Sequence, residues 1–230
     1  MFGSRTVGSR PGSRFVLITA AAAFAAGIVP AVAASASPAA SNPCPSCGHN
    51  LIVNPGAEKG KGADADIKVP TPGWKQTKNF TEVLYTWPSG DVGPHSKGPK
   101  LRGKNYFYGG PDSAKSTGTQ VIKITAKGVG SGKVQYALSG WLGGFSSQGD
   151  NATLVVTFEN SKGKAIATTQ IGPVTAAQRK DVSEMLLRKT SGLVPASTRN
   201  VQVQLIMKRT DGSDNDGIAD NLSLVFTLKK

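Results

Sequence analysis

The chain has 230 residues, with 27 lysines and arginines against 14 acidic side chains, a formal net charge of +13, and 38% hydrophobic residues. That length suits one domain with a sizeable core, or one domain and a short tail. The positive charge is spread from Lys59 to Lys104 and beyond with no dense basic run and no recognition module, so nucleic acid is excluded as a partner; the charge reads as a solvated surface or as attraction to an anionic surface.

Residues 1–33 read as a signal peptide. Arg5, Arg10 and Arg14 form a basic start, Phe15 to Val32 is apolar, and Ala31-Val32-Ala33 fits a signal-peptidase site. The apolar run is long enough that retention as an anchor is the alternative. The expectation is a secreted, extracellular, bacterial protein, a monomer with no membrane contact once the signal is cleaved. Residues 34–49, rich in Ala, Ser and Pro, read as a disordered leader. The leader carries Cys44-Pro45-Ser46-Cys47, which with Gly48-His49 imitates half of a zinc ribbon. No second cysteine pair exists to complete four ligands, and a strand rather than a helix follows. In an exported chain a small local disulfide between Cys44 and Cys47 is the favoured reading, with free thiols next.

Residues 50–230 carry the globular pattern. Segments near 81–87, 104–108, 119–125, 133–142, 152–159, 164–171, 182–190, 200–208 and 218–228 have the β-branched and aromatic content of strands, punctuated by Gly, Pro, Asn or Asp. Alternation is clearest in Val201, Val203, Leu205 and Met207 against Gln202 and Gln204. Val174–Asp181 alone suggests a helical turn, capped by Thr175. Residues 88–118 hold many glycines and prolines and read as long loops around one strand, the kind of loop that carries binding function. Short strands with almost no helix predict an all-β, antiparallel two-sheet sandwich.

The two ends of the globular part look complementary. Asn50-Leu51-Ile52-Val53-Asn54-Pro55-Gly56-Ala57-Glu58 reads as an apolar strand ending in a turn with a carboxylate. Asp214 to Asp220 form an acidic turn that runs into the alternating strand Leu222, Leu224, Phe226, Leu228. If the first and last strands lie side by side, Glu58 meets those carboxylates and a hard cation could bind there.

These two stretches, with Pro72-Gly73-Trp74 between them and Ala219-Asp220-Asn221-Leu222-Ser223-Leu224 at the end, resemble the galactose-binding-like jelly rolls, and among them bacterial carbohydrate-binding modules of the xylan- and cellulose-binding type. The resemblance spans Asn50 to Leu228 and is carried by the ends; the middle matches only in strand rhythm. It implies a structural calcium between the first and last strands, with Glu58 and Asp220 at the matching positions and Asp216 as a third ligand. The alternative is a polar turn with Asx-type hydrogen bonds. The turn is not an EF-hand, because Gly212 and Ser223 would stand where that loop needs acids.

Sugar binding by such modules needs aromatic rings that stack on pyranose faces and polar groups that bond hydroxyls. Trp141 shares a strand face with Gln135, Ala137 and Ser139, so it is either a platform or lies under a crossing loop. Trp87 sits in the loop-rich region. Tyr106 and Tyr108 share a face opposite Phe107, and Trp74 reads as core. Gln148 and Asp150, with Asn151, form a polar loop that either reaches hydroxyls or simply closes a hairpin.

Catalytic chemistry is not legible. His49 and His95 are the only histidines, no G-x-S-x-G is present, and Glu58, Glu82, Glu159 and Glu184 are too scattered to pair as a glycosidase would require. The expectation is therefore a non-catalytic module for polysaccharide or cell-wall glycan. The alternative is a cell-surface protein that binds a protein or polyanion through its basic surface.

Overall fold

The structure, a computed structural model, describes residues 42–229. The expected signal peptide and most of the leader lie outside them. Ten strands are present: β1 (Lys75–Thr77), β2 (Thr81–Leu84), β3 (Asn105–Gly110), β4 (Lys115–Lys123), β5 (Val134–Gly144), β6 (Asn151–Glu159), β7 (Ala165–Ile171), β8 (Glu184–Leu193), β9 (Asn200–Lys208) and β10 (Asn215–Leu228). They form two five-stranded antiparallel sheets, ordered β1-β4-β9-β6-β7 and β2-β3-β10-β5-β8. The fold is the jelly-roll β-sandwich expected from the strand rhythm. The helical turn near Val174 is a short 3-10 segment, Ala177–Arg179, and Thr175 and Gln178 exchange side-chain-to-backbone hydrogen bonds across its start.

Alternation sets the two faces of each sheet. Val201, Val203, Leu205 and Met207 of β9, Leu154, Val156 and Phe158 of β6, and Leu138, Leu142, Leu224 and Phe226 of β5 and β10 all point between the sheets and form the main core. Trp74 joins this core against Phe80 and Phe107, as its sequence context suggested. The outer face of the β2-β3-β10-β5-β8 sheet is not simply solvated. Val83, Tyr85, Val92, Tyr106, Tyr108, Met185 and Ile218 make a second apolar cluster on it. Val92 and Tyr85 come from the glycine- and proline-rich segment after β2, so that segment folds back over the sheet as a cover.

The ends of the domain are neighbours. Asn50 bridges Val225, Leu51 N–H donates to the Leu224 carbonyl, and Leu222 N–H donates to the Pro55 carbonyl. The Asn50 side chain acts as a substitute peptide unit, donating to the Leu222 carbonyl and accepting from Leu224 N–H. The segment is nevertheless not a strand. Pro55 lacks an N–H, Asn54 and Ala57 take positive φ values of 50° and 59°, and Leu51 and Ile52 are both buried, which breaks alternation. The packed domain also begins earlier than the expected leader allowed. Cys44 is buried in the main core, Cys44 and Cys47 are joined by a disulfide, and Gly48 N–H donates to the Phe226 carbonyl. Among the described residues no helix is long and apolar enough to cross a membrane.

Candidate functional site

A cavity of about 370 Å³ opens on the outer face of the second sheet, lined by Asp66, Trp87, Ser89, Asp91, Tyr108, Phe145, Gln148, Gly212, Ser213, Asp214 and Asp216. Its floor is the sheet: Tyr108 from β3 and Asp216 from β10. Its walls are loops: Asp66 before β1, Trp87 to Asp91 after β2, Phe145 and Gln148 between β5 and β6, and Gly212 to Asp214 before β10. Tyr108 Oη donates to Asp216 Oδ1 at 3.0 Å, and the Trp87 ring stands edge-on to Tyr108 with centroids 6.1 Å apart. Trp87 is half-buried, and Phe145 shows 37% of its surface.

Four of the chain's 14 acidic side chains line this one cavity. Burial, then repulsion from Asp216 and Asp66, pushes the Asp91 carboxyl up to about 8. Burial, with Asp214 next, raises Asp66 to about 6. Asp216 rises to about 6 for the same first reason, against the opposing Tyr108 hydrogen bond. The only salt bridge among the described residues joins Lys97 to Glu184, so none of these carboxylates is ion-paired.

The sign of the resulting pH dependence is fixed. The native state holds protons on these acids that the unfolded chain gives up near pH 4, so stability is full below that point and falls as pH rises toward about 8. For Asp91 alone the loss is at most about 1.4 kcal/mol per pH unit across that range. Thermal midpoints in chelator should therefore drop between pH 5 and pH 8, and Asp91→Asn should flatten the curve. A rising curve would show that these acids are ionised in the native state.

The expected site residues separate into groups. Trp87, Tyr108, Gln148 and Asp216 come together in the cavity. Tyr106 does not: it is wholly buried under the cover and packs on Tyr85 with centroids 4.8 Å apart, so it cannot stack on a ligand. Asp150 is also sealed. Its Oδ1 accepts from Thr210 N–H and Asp211 N–H, and its Oδ2 from Asp216 N–H, which makes it the brace of the loop that carries Asp214 and Asp216. Trp141 is half-buried on the expected outer face, in register with Asp220 and Leu187, and packs against the second cluster away from the cavity lining. Asp66, Asp91 and Phe145 had no local signal as site residues; only the fold-back of two loops brings them together.

The three acids assigned to a metal also divide. Glu58 lies near Asp220, whose carboxyl is raised to about 8 by burial first and by Glu58 among its neighbours. Asp216 is four residues along β10 from Asp220, about 13 Å on an extended strand, and belongs to the cavity. Beside Glu58 stands a residue not assigned there from sequence. Glu82 is fully buried on β2, pushed up to about 7 by desolvation with Glu58 contributing, and its Oε2 has no hydrogen-bond donor. Asn105 Oδ1 is a second buried acceptor without a donor, while its Nδ2 donates to the Ala57 carbonyl. The loop from Gly60 to Gly62 wraps these oxygens closely: an added Cβ would fall 1.4 Å from Glu82 Oε1 at Gly60 and 2.3 Å from Asn105 Oδ1 at Gly62. Glu58 Oε1 accepts from Lys104 N–H and Asn105 N–H, each at 2.8 Å. Two orphaned hard oxygens beside a carboxylate fit a cation such as calcium.

No family model matches the chain, and no curated protein matches it. Similar solved structures exist. A cyclase from Fischerella sp. TAU in complex with 4-(1H-indol-3-yl)butan-2-one is 15% identical with a TM-score of 0.52, covering 79% of this chain and 98% of that one. The enzymatically active domain of bacteriophage CBA120 tailspike protein 4 is 15% identical with a TM-score of 0.48, covering 77% of this chain, which spans only 21% of that protein. The CBM22-1 xylan-binding domain of Paenibacillus barcinonensis Xyn10C is 10% identical with a TM-score of 0.39, covering 72% of this chain and 92% of that one. At 15% identity the likeness to the cyclase bears on the fold alone: a β-sandwich, here with a loop-walled cavity on one outer face.

Proposed function

We propose that this chain is a secreted, non-catalytic module that binds carbohydrate or cell-wall glycan in the outer-face cavity, with a structural calcium bracing the domain ends. The observation that carries the reading is the composition of the cavity. Trp87 and Phe145 supply rings for the apolar faces of a sugar above the buried Tyr108 of the floor, and Ser89, Ser213 and Gln148 supply neutral polar groups for its hydroxyls. A glycan array probed with the wild-type protein and with Trp87→Ala tests it. Retention on a polysaccharide that the variant loses is expected; equal retention by both would place binding elsewhere.

Glu58, Glu82 and Asn105 would hold the calcium, with Asp220 beside them. Calcium supplies the positive charge that those buried oxygens lack and ties the segment that follows Asn50 to β2 and β3. Adding millimolar calcium to chelated protein should raise the thermal midpoint by several degrees, because ligand that binds only the native state stabilises it. Glu82→Gln should abolish that rise. An unchanged midpoint with and without calcium in the wild type would remove the ion from the account.

Binding of a protein or polyanion through the basic surface is a second reading, favoured by the near absence, among the described residues, of ion pairs that would neutralise the lysines. Salt separates the two. Charge-driven retention should collapse on moving from low to moderate salt, whereas stacking on neutral sugar should hold.

A further inference from the structure

The cavity is chemically unlike the surface around it. The chain carries a net charge of +13, yet Asp66, Asp91, Asp214 and Asp216 crowd one concavity, and among the described residues no basic side chain is bridged to them. Asp112 and Asp150 add further negative charge near them. Arg179, the buried cation in the vicinity, uses its guanidinium on the carbonyls of Ser146, Val182 and Gln148 rather than on a carboxylate.

Three acceptor atoms on the cavity lining are shielded from solvent and lack any hydrogen-bond donor: Asp66 Oδ1, Asp91 Oδ2 and Gln148 Oε1. Asp216 is 8% exposed, and only its Oδ1 accepts a hydrogen bond, from Tyr108. Buried acceptors without donors are uncommon in native proteins and point to an absent donor.

The concavity, about 370 Å³, is far larger than a single ion, and the rings of Trp87 and Phe145 on its walls offer a hard cation nothing. Aromatic rings and carboxylates together suit an organic ammonium group, which gains from the ring faces and donates to several oxygens at once. Ser89, Ser213 and Gln148 add acceptors and donors for neutral hydroxyls on the same ligand.

We infer that the cavity selects a cationic amino sugar, a glycan unit bearing a free ammonium group of the glucosamine type, over neutral or N-acetylated sugars. The inference rests on the reading that the cavity takes a sugar, and it names which class. On binding, the ammonium takes the place of the protons that Asp66 and Asp91 hold in the free protein, which pass to solvent, and it donates to both carboxylates; the ring lies against Trp87, and the hydroxyls meet the serines and Gln148.

The test is calorimetric titration of the whole chain with four probes: a glucosamine tetramer, the N-acetylglucosamine tetramer, cellotetraose and tetralysine. The glucosamine tetramer should bind about ten- to a hundredfold more tightly than its N-acetylated counterpart, the range expected for charge-assisted hydrogen bonds. Asp91→Asn and, separately, Asp66→Asn should erase most of that preference; the second keeps the test decisive if the first variant fails to fold. Equal binding of all three oligosaccharides would overturn the inference and leave the glycan reading intact. Tetralysine binding as tightly as the glucosamine tetramer would overturn the sugar part and mark a site for lysine-bearing peptides. No binding of any probe would overturn both.

Discussion

Replacing Asp150 by alanine should destabilise the domain by about 3–5 kcal/mol, lowering the thermal midpoint by about 10 °C. The carboxylate is completely buried and has no cationic partner. Its stabilisation comes from three backbone N–H groups, those of Thr210, Asp211 and Asp216, at 2.6, 3.0 and 2.9 Å, and from the Thr210 hydroxyl. Alanine leaves those donors with no acceptor, the Asp216 N–H fully buried, and a buried orphan costs about 1–3 kcal/mol. Asp150→Asn should fall between the two, because one amide oxygen can still accept while the amide N–H₂ opposes a donor. Urea unfolding of the three proteins measures the order. A wild-type-like midpoint for the alanine variant would show that the 209–216 loop does not depend on this brace.

The second large effect is on binding. Trp87→Ala should weaken glycan affinity by about 2 kcal/mol, or about thirtyfold, with a smaller loss of stability. Trp87 is on a loop, half-buried, and touches the second apolar cluster only at its margin, so its removal opens the wall of the cavity without emptying a core. Trp74 is the contrast. It is buried between Phe80 and Phe107 and donates through Nε1 to the Asn54 carbonyl, so its truncation should cost about 3–5 kcal/mol in stability. Trp87→Phe should recover part of the affinity. Full binding by Trp87→Ala, measured by calorimetry, would show that this ring does not meet the ligand.

Much of the fold could be read from period and punctuation. Nine of the ten strands fall where alternation and turn residues place them, because a half-buried strand leaves a period-two trace that needs no tertiary knowledge. β1, three residues long, leaves no such trace. The juxtaposition of Asn50–Glu58 with the last strand was legible from their complementary motifs. The irregular backbone of the first was signalled in the sequence only by Pro55 and by the unbroken apolar run Leu51-Ile52-Val53, which does not alternate.

The site was legible in part. Trp87 and Tyr108 stood out as aromatics in or beside a loop-rich stretch. Asp66 and Asp91 are separated by 25 residues and lie in loops whose path over the sheet no local pattern encodes. Trp141 illustrates the limit from the other side. Alternation assigned it to the outer face correctly, yet period two cannot say what else covers that face. Asp150 looked like a hydroxyl binder because it is polar and in a loop; burial and three backbone donors make it structural.

The chain contains three tryptophans, one in the core, one in the cavity wall and one on the outer strand face. A two-dimensional amide-proton NMR titration with the oligosaccharide that binds best on the array resolves their three indole N–H signals. The Trp87 signal should move with ligand while those of Trp74 and Trp141 stay in place. Movement of Trp141 with Trp87 unmoved would put the ligand on the strand face instead and contradict the assignment of the cavity.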